Sequence, residues 1–357
     1  MSGAGERTMS ATPRWSLRRG LRMTHAWTGL AVSMLIAAMA LSGSVLLFKD
    51  DLRRFTLPRT VGAARLDPAA QGRVMNLTVR RYGRNLRYVR FPEANDEPIE
   101  AVTDDGGAYL SADGKVLDQW PGRRPLDWLA EFHHRLLLGK RGGWVVGAIG
   151  LVALLLMLSG IWLWWPLRRR FRLRALPARN SRPALIAVHR DIGVLVSPAL
   201  LILTLTGTMM ALPDISKPLF GFSRAAPKLA DPVTLGADWA KVLPAASSQI
   251  VGARLRQMAV ASGADPAIVR FRQPGEWNRL GLSMVYVSHS GEIVRAVRAK
   301  ADAPGARLYA RIFPLHSAQV GSLLLRLVWL AGGLGLAVLS IMGAEAFRRQ
   351  LGSRKQH

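Results

Sequence analysis

Four long apolar runs divide the chain, and each is long enough to cross a lipid bilayer. Residues 23–48, 142–167 and 192–212 contain no charged side chain, and residues 317–344 contain only Arg326. A helix needs about 20 largely apolar residues to span the hydrocarbon core. The pattern therefore predicts a membrane α-helical protein with four transmembrane helices.

Two polar regions between these runs carry short alternating segments. In the first region, Leu66–Tyr82 predicts a helix, and in the second a helix begins near Gly236. The predicted strands are 86–92, 99–103, 107–111 and 116–119 in the first region and 268–273, 282–287 and 292–297 in the second. Turn signals such as Asp113-Gly114 separate them. We expect two small periplasmic α+β modules.

This interpretation divides the chain into nine segments. They are an N-terminal cytoplasmic segment 1–21, span one 22–49, module one 50–127, span two 128–166, a basic loop 167–183, span three 184–212, module two 213–312, span four 313–345 and a cytoplasmic tail 346–357.

Histidines and glycines recur at matched spacings. His25 and His189 are each followed by glycine after four residues (Gly29, Gly193) and after 18 residues (Gly43, Gly207). His134 and His316 are each followed by glycine after five residues, but the next shared glycines, Gly160 and Gly343, lie 26 and 27 residues on. The spacings predict two repeated units, related by an axis along the membrane normal.

The repeat sorts the histidines into two pairs. His25 and His189 are expected near the inner face, and His134 and His316 near the outer face. Ionisable groups in spans are costly and commonly functional, and two facing imidazoles suit axial ligation of haem iron. Gly29 and Gly193, and on the same helix faces Gly43 and Gly207, are expected to leave room for a flat macrocycle. Interfacial histidines without a cofactor are the alternative.

Three other histidines and one arginine lie outside this pattern of pairs. His133 points about 100° away from His134 around a helix, and is either a polar neighbour or the true ligand. His289 and His357 are expected to be solvated. Arg326, the tenth residue of the fourth apolar run (317–344), is expected to bind a haem propionate or an acidic side chain.

Charge and composition narrow the class of protein. The net charge is +26, but seven arginines lie between residues 168 and 182, and others flank the first and last spans. Short basic loops remain cytoplasmic, so this distribution favours a bacterial inner membrane with both termini inside rather than nucleic-acid binding. The absence of cysteine excludes disulfides, cysteine-bound iron–sulfur clusters and covalently attached c-type haem.

The sequence resembles the PepSY-associated membrane proteins over nearly the whole chain from about Arg14. The segments that carry the resemblance are Thr24–Leu30 with Leu41–Gly43, His134–Gly139 with Leu158–Trp162 and Trp165–Pro166, Ala187–Gly193, and Pro314–His316. Such proteins include iron-regulated inner-membrane proteins and ferric-siderophore reductases. The resemblance implies PepSY-like outer modules and two b-type haems with His25, His189, His134 and His316 as ligands, and favours His134 over His133.

Three functions follow from these patterns. The first is a membrane oxidoreductase that passes electrons through two haems to a ferric siderophore, supplied by a separate cytoplasmic or membrane electron donor. The second is a PepSY membrane protein without catalysis, which binds or regulates a periplasmic partner. The third, a proton-coupled transporter, is disfavoured because charged residues do not run through the span centres.

Overall fold

The computed structural model describes residues 17–174, 176–179, 181–223, 225–229 and 236–354. Most of the predicted N-terminal segment, residues 1–16 with Arg14, lies outside the described residues. So does the end of the tail, residues 355–357 with His357.

Helices supply most of the described structure. They are α1 Leu17–Leu46, α2 Lys49–Arg54, α3 Pro68–Tyr82, α4 Pro125–Arg135, α5 Gly142–Trp164, α6 Arg182–Ala211, α7 Pro213–Leu219, α8 Trp239–Gln249, α9 Pro304–Tyr309, α10 Ile312–His316 and α11 Leu323–Arg354. Four helical segments are long and apolar enough to cross a membrane: Leu17–Leu46, Gly139–Arg169, Arg182–Ala211 and Leu323–Leu351. The protein is therefore a multi-pass membrane protein embedded in a lipid bilayer.

Short separate helices precede the second and fourth spans. Helix α4 ends at Arg135, and Leu136 and Leu137 take left-handed conformations (φ 52° and 61°) before α5 begins. Helix α10 ends at His316, and the chain turns again at Ala318 and Gly321. The membrane helices thus begin later than residues 128 and 313, and Arg326 lies in the first turn of α11 rather than ten residues inside a span.

The four long helices form a bundle. Helix α1 packs on α5 and α11, and α6 packs on the same two, so α1 and α6 occupy opposite corners. Small residues bring the helices close together. A Cβ on Gly150 would lie 2.2 Å from Oγ1 of Thr208, and one on Gly333 would lie 2.3 Å from Oγ of Ser44. Small residues at such contacts are typical of membrane helix packing.

An eight-stranded antiparallel sheet lies outside the bundle. Its strands are β1 Leu86–Arg90, β2 Ile99–Thr103, β3 Gly106–Leu110, β4 Val116–Pro121, β5 Arg254–Ala259, β6 Ala267–Arg272, β7 Ser283–Val287 and β8 Ile293–Val297. Their order in the sheet is β4-β3-β2-β1-β5-β6-β7-β8. Strand β5 was not among the predicted strands.

The two polar regions therefore share one sheet and one core. Strand β1 pairs with β5, and their opposed residues Val89 and Met258 are fully buried. Helices α3 and α8 pack on each other so closely that a Cβ on Gly72 would lie 2.1 Å from the Trp239 carbonyl oxygen. The hydrophobic core contains residues of both regions. This differs from the expectation of two separate modules.

Candidate functional site

One histidine pair lies at the arginine-rich end of the bundle. His25 of α1 and His189 of α6 face each other across the bundle, with ring centres 6.4 Å apart and ring planes at 84°. The structure thus brings together the two histidines that the sequence predicts as a pair.

A second pair lies at the opposite end of the bundle, where α4 and α10 lead into the spans. Its members are His133 and His316, with ring centres 6.4 Å apart and ring planes at 45°. His134 is exposed, and its ring centre is 5.8 Å from that of His133. The geometry therefore differs from the predicted pair of His134 with His316. The prediction treated residues 128–166 as one helix, whereas α4 is a separate helix that turns His133 inward.

Each of the four rings packs on a glycine of another helix. A Cβ on Gly160 would lie 3.4 Å from Cε1 of His25, and one on Gly343 would lie 3.3 Å from Cε1 of His189. At the second pair the approach is closer: a Cβ on Gly43 would lie 2.7 Å from Cε1 of His133, and one on Gly207 would lie 3.1 Å from Cε1 of His316. These glycines make the room in which the imidazoles lie.

The predicted glycines thus have two different settings. Gly43 and Gly207, expected to border a macrocycle, lie against imidazole rings. Gly29 and Gly193 instead face leucines of neighbouring helices. A Cβ on Gly29 would lie 4.0 Å from the Leu156 side chain, and one on Gly193 would lie 3.6 Å from that of Leu339.

Hydrogen bonds fix how each ring is oriented. The Nδ1 atom of His25 lies 2.8 Å from Oγ of Ser159, and that of His316 lies 3.0 Å from Oγ1 of Thr206. His189 Nδ1 lies 3.0 Å from the Leu339 carbonyl oxygen. His133 Nδ1 lies 3.0 Å from Oγ of Ser42 and 3.1 Å from the Met39 carbonyl oxygen.

These bonds favour one tautomer, and at His133 and His189 the partner includes a carbonyl oxygen, which can only accept. The hydroxyls of Ser42, Ser159 and Thr206 donate their own protons to carbonyl oxygens of their helices. Such a hydroxyl can only accept from the imidazole, as a carbonyl must. The contacts thus favour a proton on Nδ1 and a free lone pair on Nε2 in all four rings, which is the arrangement of a metal-binding histidine held by outer hydrogen bonds.

One spacing in the sequence matches His133, whereas the five-residue spacing to Gly139 and Gly321 matches His134. Gly160 lies 27 residues after His133, and Gly343 lies 27 residues after His316. Counting from His134 gives 26 and breaks the match. The contact partners Ser42, Ser159, Thr206, Gly160 and Gly343 were not among the predicted site residues, although the repeat already included Gly160 and Gly343.

The arginine of the fourth span has an acidic partner. Arg326 donates to the Asp51 carboxylate of α2 at 2.7 Å. Further ion pairs at this end of the bundle join Lys49 with Asp127 and Arg279 with Asp50. Of the two partners expected for Arg326, the structure provides the acidic side chain.

A buried carboxylate connects the sheet to α2 and α4. Glu100 of β2 is 3% exposed and binds Arg53, Arg90 and Arg124 at 2.8, 3.1 and 2.7 Å. Burial opposes ionisation of Glu100, but attraction from the three guanidinium groups outweighs it, so the pKa lies below its ordinary value. Arg124 is the residue before α4, the helix that carries His133.

His289 is buried, not solvated as expected from its predicted turn. It is 6% exposed, and its Nε2 donates to the Gly263 carbonyl oxygen at 2.9 Å. This contact joins the β5–β6 and β7–β8 turns, so a structural role accounts for the residue.

Residues 22–348 match the family described as the PepSY-associated TM region. The chain belongs to this family. The matched part of this PepSY-associated protein includes the second and third spans, most of the first and fourth, the sheet and both histidine pairs. No curated protein matches the chain.

Proposed function

We propose that this PepSY-associated protein is a haem-dependent electron carrier that reduces siderophore-bound ferric iron on the periplasmic side of the bacterial inner membrane. The observation that carries the proposal is the geometry of the two histidine pairs. Both pairs have the same ring separation, and all four rings keep Nε2 available for a metal.

The ring separation fits axial ligation of one iron by two imidazoles. Two metal–nitrogen bonds of about 2.0–2.1 Å, added to the distance from each ring centre to its nitrogen, give about 6.3 Å between ring centres. Both pairs have 6.4 Å. Among the described residues, no group of three or more histidine, cysteine, aspartate or glutamate side chains could hold a metal ion. A pair of axial ligands suits a metal whose remaining ligands come from a macrocycle.

The chain's residues would act by holding and orienting the cofactors. His25 and His189 hold one haem b, and His133 and His316 hold the second. Ser42, Ser159 and Thr206 keep the rings in the ligating tautomer, and the apolar helices exclude water. The haem supplies one-electron chemistry when bound. Reduction of ferric to ferrous iron would weaken its binding by the hard oxygen ligands of a siderophore.

The distribution of charge supports an orientation in which the His25–His189 end of the bundle faces the cytoplasm. The His25–His189 end carries the basic loop and both chain ends of the bundle, and basic segments favour the cytoplasmic side. The sheet then lies in the periplasm, near the second pair.

Two repeated units are supported by the fold. Each half supplies four strands and two long helices, and the glycine contacts of the histidines match between the halves.

Spectroscopy of the full chain, purified after haem-replete expression, tests the proposal. We expect two haems per chain with a bis-histidine b-type spectrum. His25→Ala and His133→Ala should each lose one haem, whereas His134→Ala should keep both. A protein without haem would overturn the proposal and favour the second function, a membrane protein whose sheet binds a periplasmic partner. Loss of haem in His134→Ala but not in His133→Ala would overturn the assignment of ligands.

A further inference from the structure

A strongly basic surface surrounds the His25–His189 end of the bundle. Residues 17–25, 160–191 and 339–354 contain fourteen arginines and two acids, Asp191 and Glu345. Both acids are already paired with arginines. Six of the exposed arginines of this end are together called the basic face: Arg18, Arg22, Arg168, Arg172, Arg179 and Arg182.

The basic face is held in place by a buried acid. Asp191 of α6 is fully buried and binds Arg174 of the loop at 2.7 Å and Arg190 at 2.8 Å. At the end of the loop, Arg182 donates to Gln350 of α11 at 2.6 Å. These contacts hold Arg174 against α6 and Arg182 against α11, on either side of Arg179 in the sequence.

The basic face adjoins the first histidine pair. The Arg18 guanidinium lies over the Trp162 ring, 5.5 Å from its centre, and Trp162 is 44% exposed. Ser159 and Gly160, on the preceding turn of α5, contact the His25 ring. A molecule seated on the basic face would therefore lie close to His25.

We propose that the basic face is the docking surface for an acidic one-electron redox protein that reduces the haem held by His25 and His189. This rests on the proposed function. The donor loses one electron and the haem iron gains it, and no bond is formed or broken. Transient redox complexes have small interfaces, and opposite charge increases their association rate.

Topology and lipid binding alone also favour basic residues at a cytoplasmic surface. The protein donor is favoured because the exposed arginines are concentrated beside the histidine pair, where a soluble carrier could come within reach of the cofactor. The two explanations differ in what charge reversal does to the rate of reduction.

The test measures the reduction rate of the haem-loaded full chain in nanodiscs of neutral phosphatidylcholine. The probe is reduced flavodoxin, an acidic flavoprotein, mixed in a stopped-flow instrument. We expect the second-order rate constant to fall at least about tenfold between roughly 0.05 and 0.5 M salt, because salt screens charge attraction. The double variant R172E/R179E should lose about tenfold at low salt.

R73E/R84E is the matched control, since it makes the same change in charge at exposed arginines on the sheet side. It should react like the parent chain. Reduction by dithionite, a small reductant, should be equal in all three proteins. A salt-independent rate, or equal rates for R172E/R179E and the parent, would overturn the docking surface while leaving the haem proposal intact. A chain without haem would overturn both.

Discussion

At the scale of single residues, glycines determine where each imidazole ring can lie. Gly43 and Gly29 are both inside α1, but only Gly43 faces a histidine. The helical pattern places both on one side of the helix and does not say which neighbour covers them. The same limit applies to His133 and His134, because the choice between them depends on where α4 ends. That end is set by two leucines in left-handed conformations, which no propensity would predict.

Gly43→Ala is expected to disturb the second histidine pair. Its Cβ would lie 2.7 Å from Cε1 of His133, so the ring must move. We expect loss of one of two haems, measured by visible absorbance and haem stoichiometry. Gly29→Ala is the control, since its Cβ meets only Leu156 at 4.0 Å. It should keep both haems and unfold at an equal or higher temperature, because alanine favours the helix by about 1 kcal/mol. Two unperturbed haems in Gly43→Ala would contradict the packing described.

At the scale of elements, one carboxylate fixes the relative positions of a strand and two helices. Glu100 joins β2 to α2 through Arg53 and to the start of α4 through Arg124.

Alternation and turn signals in the sequence were sufficient to predict seven strands near their observed positions. They failed for β5, where Leu255 and Arg256 are both buried next to an irregularity in the pairing. Burial of an arginine depends on partners that are distant in sequence, here the Phe91 carbonyl oxygen.

Glu100→Gln is expected to destabilise the protein by about 3 kcal/mol, because it leaves three buried or half-buried guanidinium groups without their anion. Thermal unfolding followed by tryptophan fluorescence measures the change. Glu97→Gln removes the pair with the exposed Arg54 and should cost less than about 1 kcal/mol. An equal loss of stability in Glu100→Gln and Glu97→Gln would contradict the conclusion that burial makes the Glu100 ion pairs stronger.

The same carboxylate predicts a dependence on pH. Because the pKa of Glu100 is lowered in the folded protein, its contribution is complete above its ordinary pKa of 4.5 and is lost as the pH falls towards the folded value. Stability of the parent chain should therefore decrease below about pH 4.5 more steeply than that of Glu100→Gln. Parallel pH profiles of the two proteins would show that another group is responsible.

At the scale of the whole molecule, the sheet joins the two halves of the chain. The four spans and the α+β character of the polar regions follow from local patterns in the sequence. The union of the two regions does not, because the pairing of β1 with β5 joins residues about 170 positions apart and carries no local signal.

A disulfide across this junction tests the single sheet. The natural chain has no cysteine, so Tyr88→Cys with Ala259→Cys provides a unique pair of thiols. Opposed residues of antiparallel strands have Cα atoms about 4.5–5.5 Å apart, which suits a disulfide. Oxidation should link them, as seen by faster migration in a non-reducing gel. Tyr88→Cys with Val294→Cys on β8, about 19 Å away across four strand spacings, should stay reduced.

The glycine and hydrogen-bond contacts of the histidines also bear on biosynthesis. Each ring is seated by a helix of its own half: His25 by α5, His133 by α1, His189 by α11 and His316 by α6. Each ring faces a histidine of the other half. A nascent chain emerges from its N-terminus, so His25 and His133 can be seated before the second half is made. Insertion of α6 and α11 then completes both histidine pairs. A haem bound by one histidine from each half would therefore link the two halves of the chain.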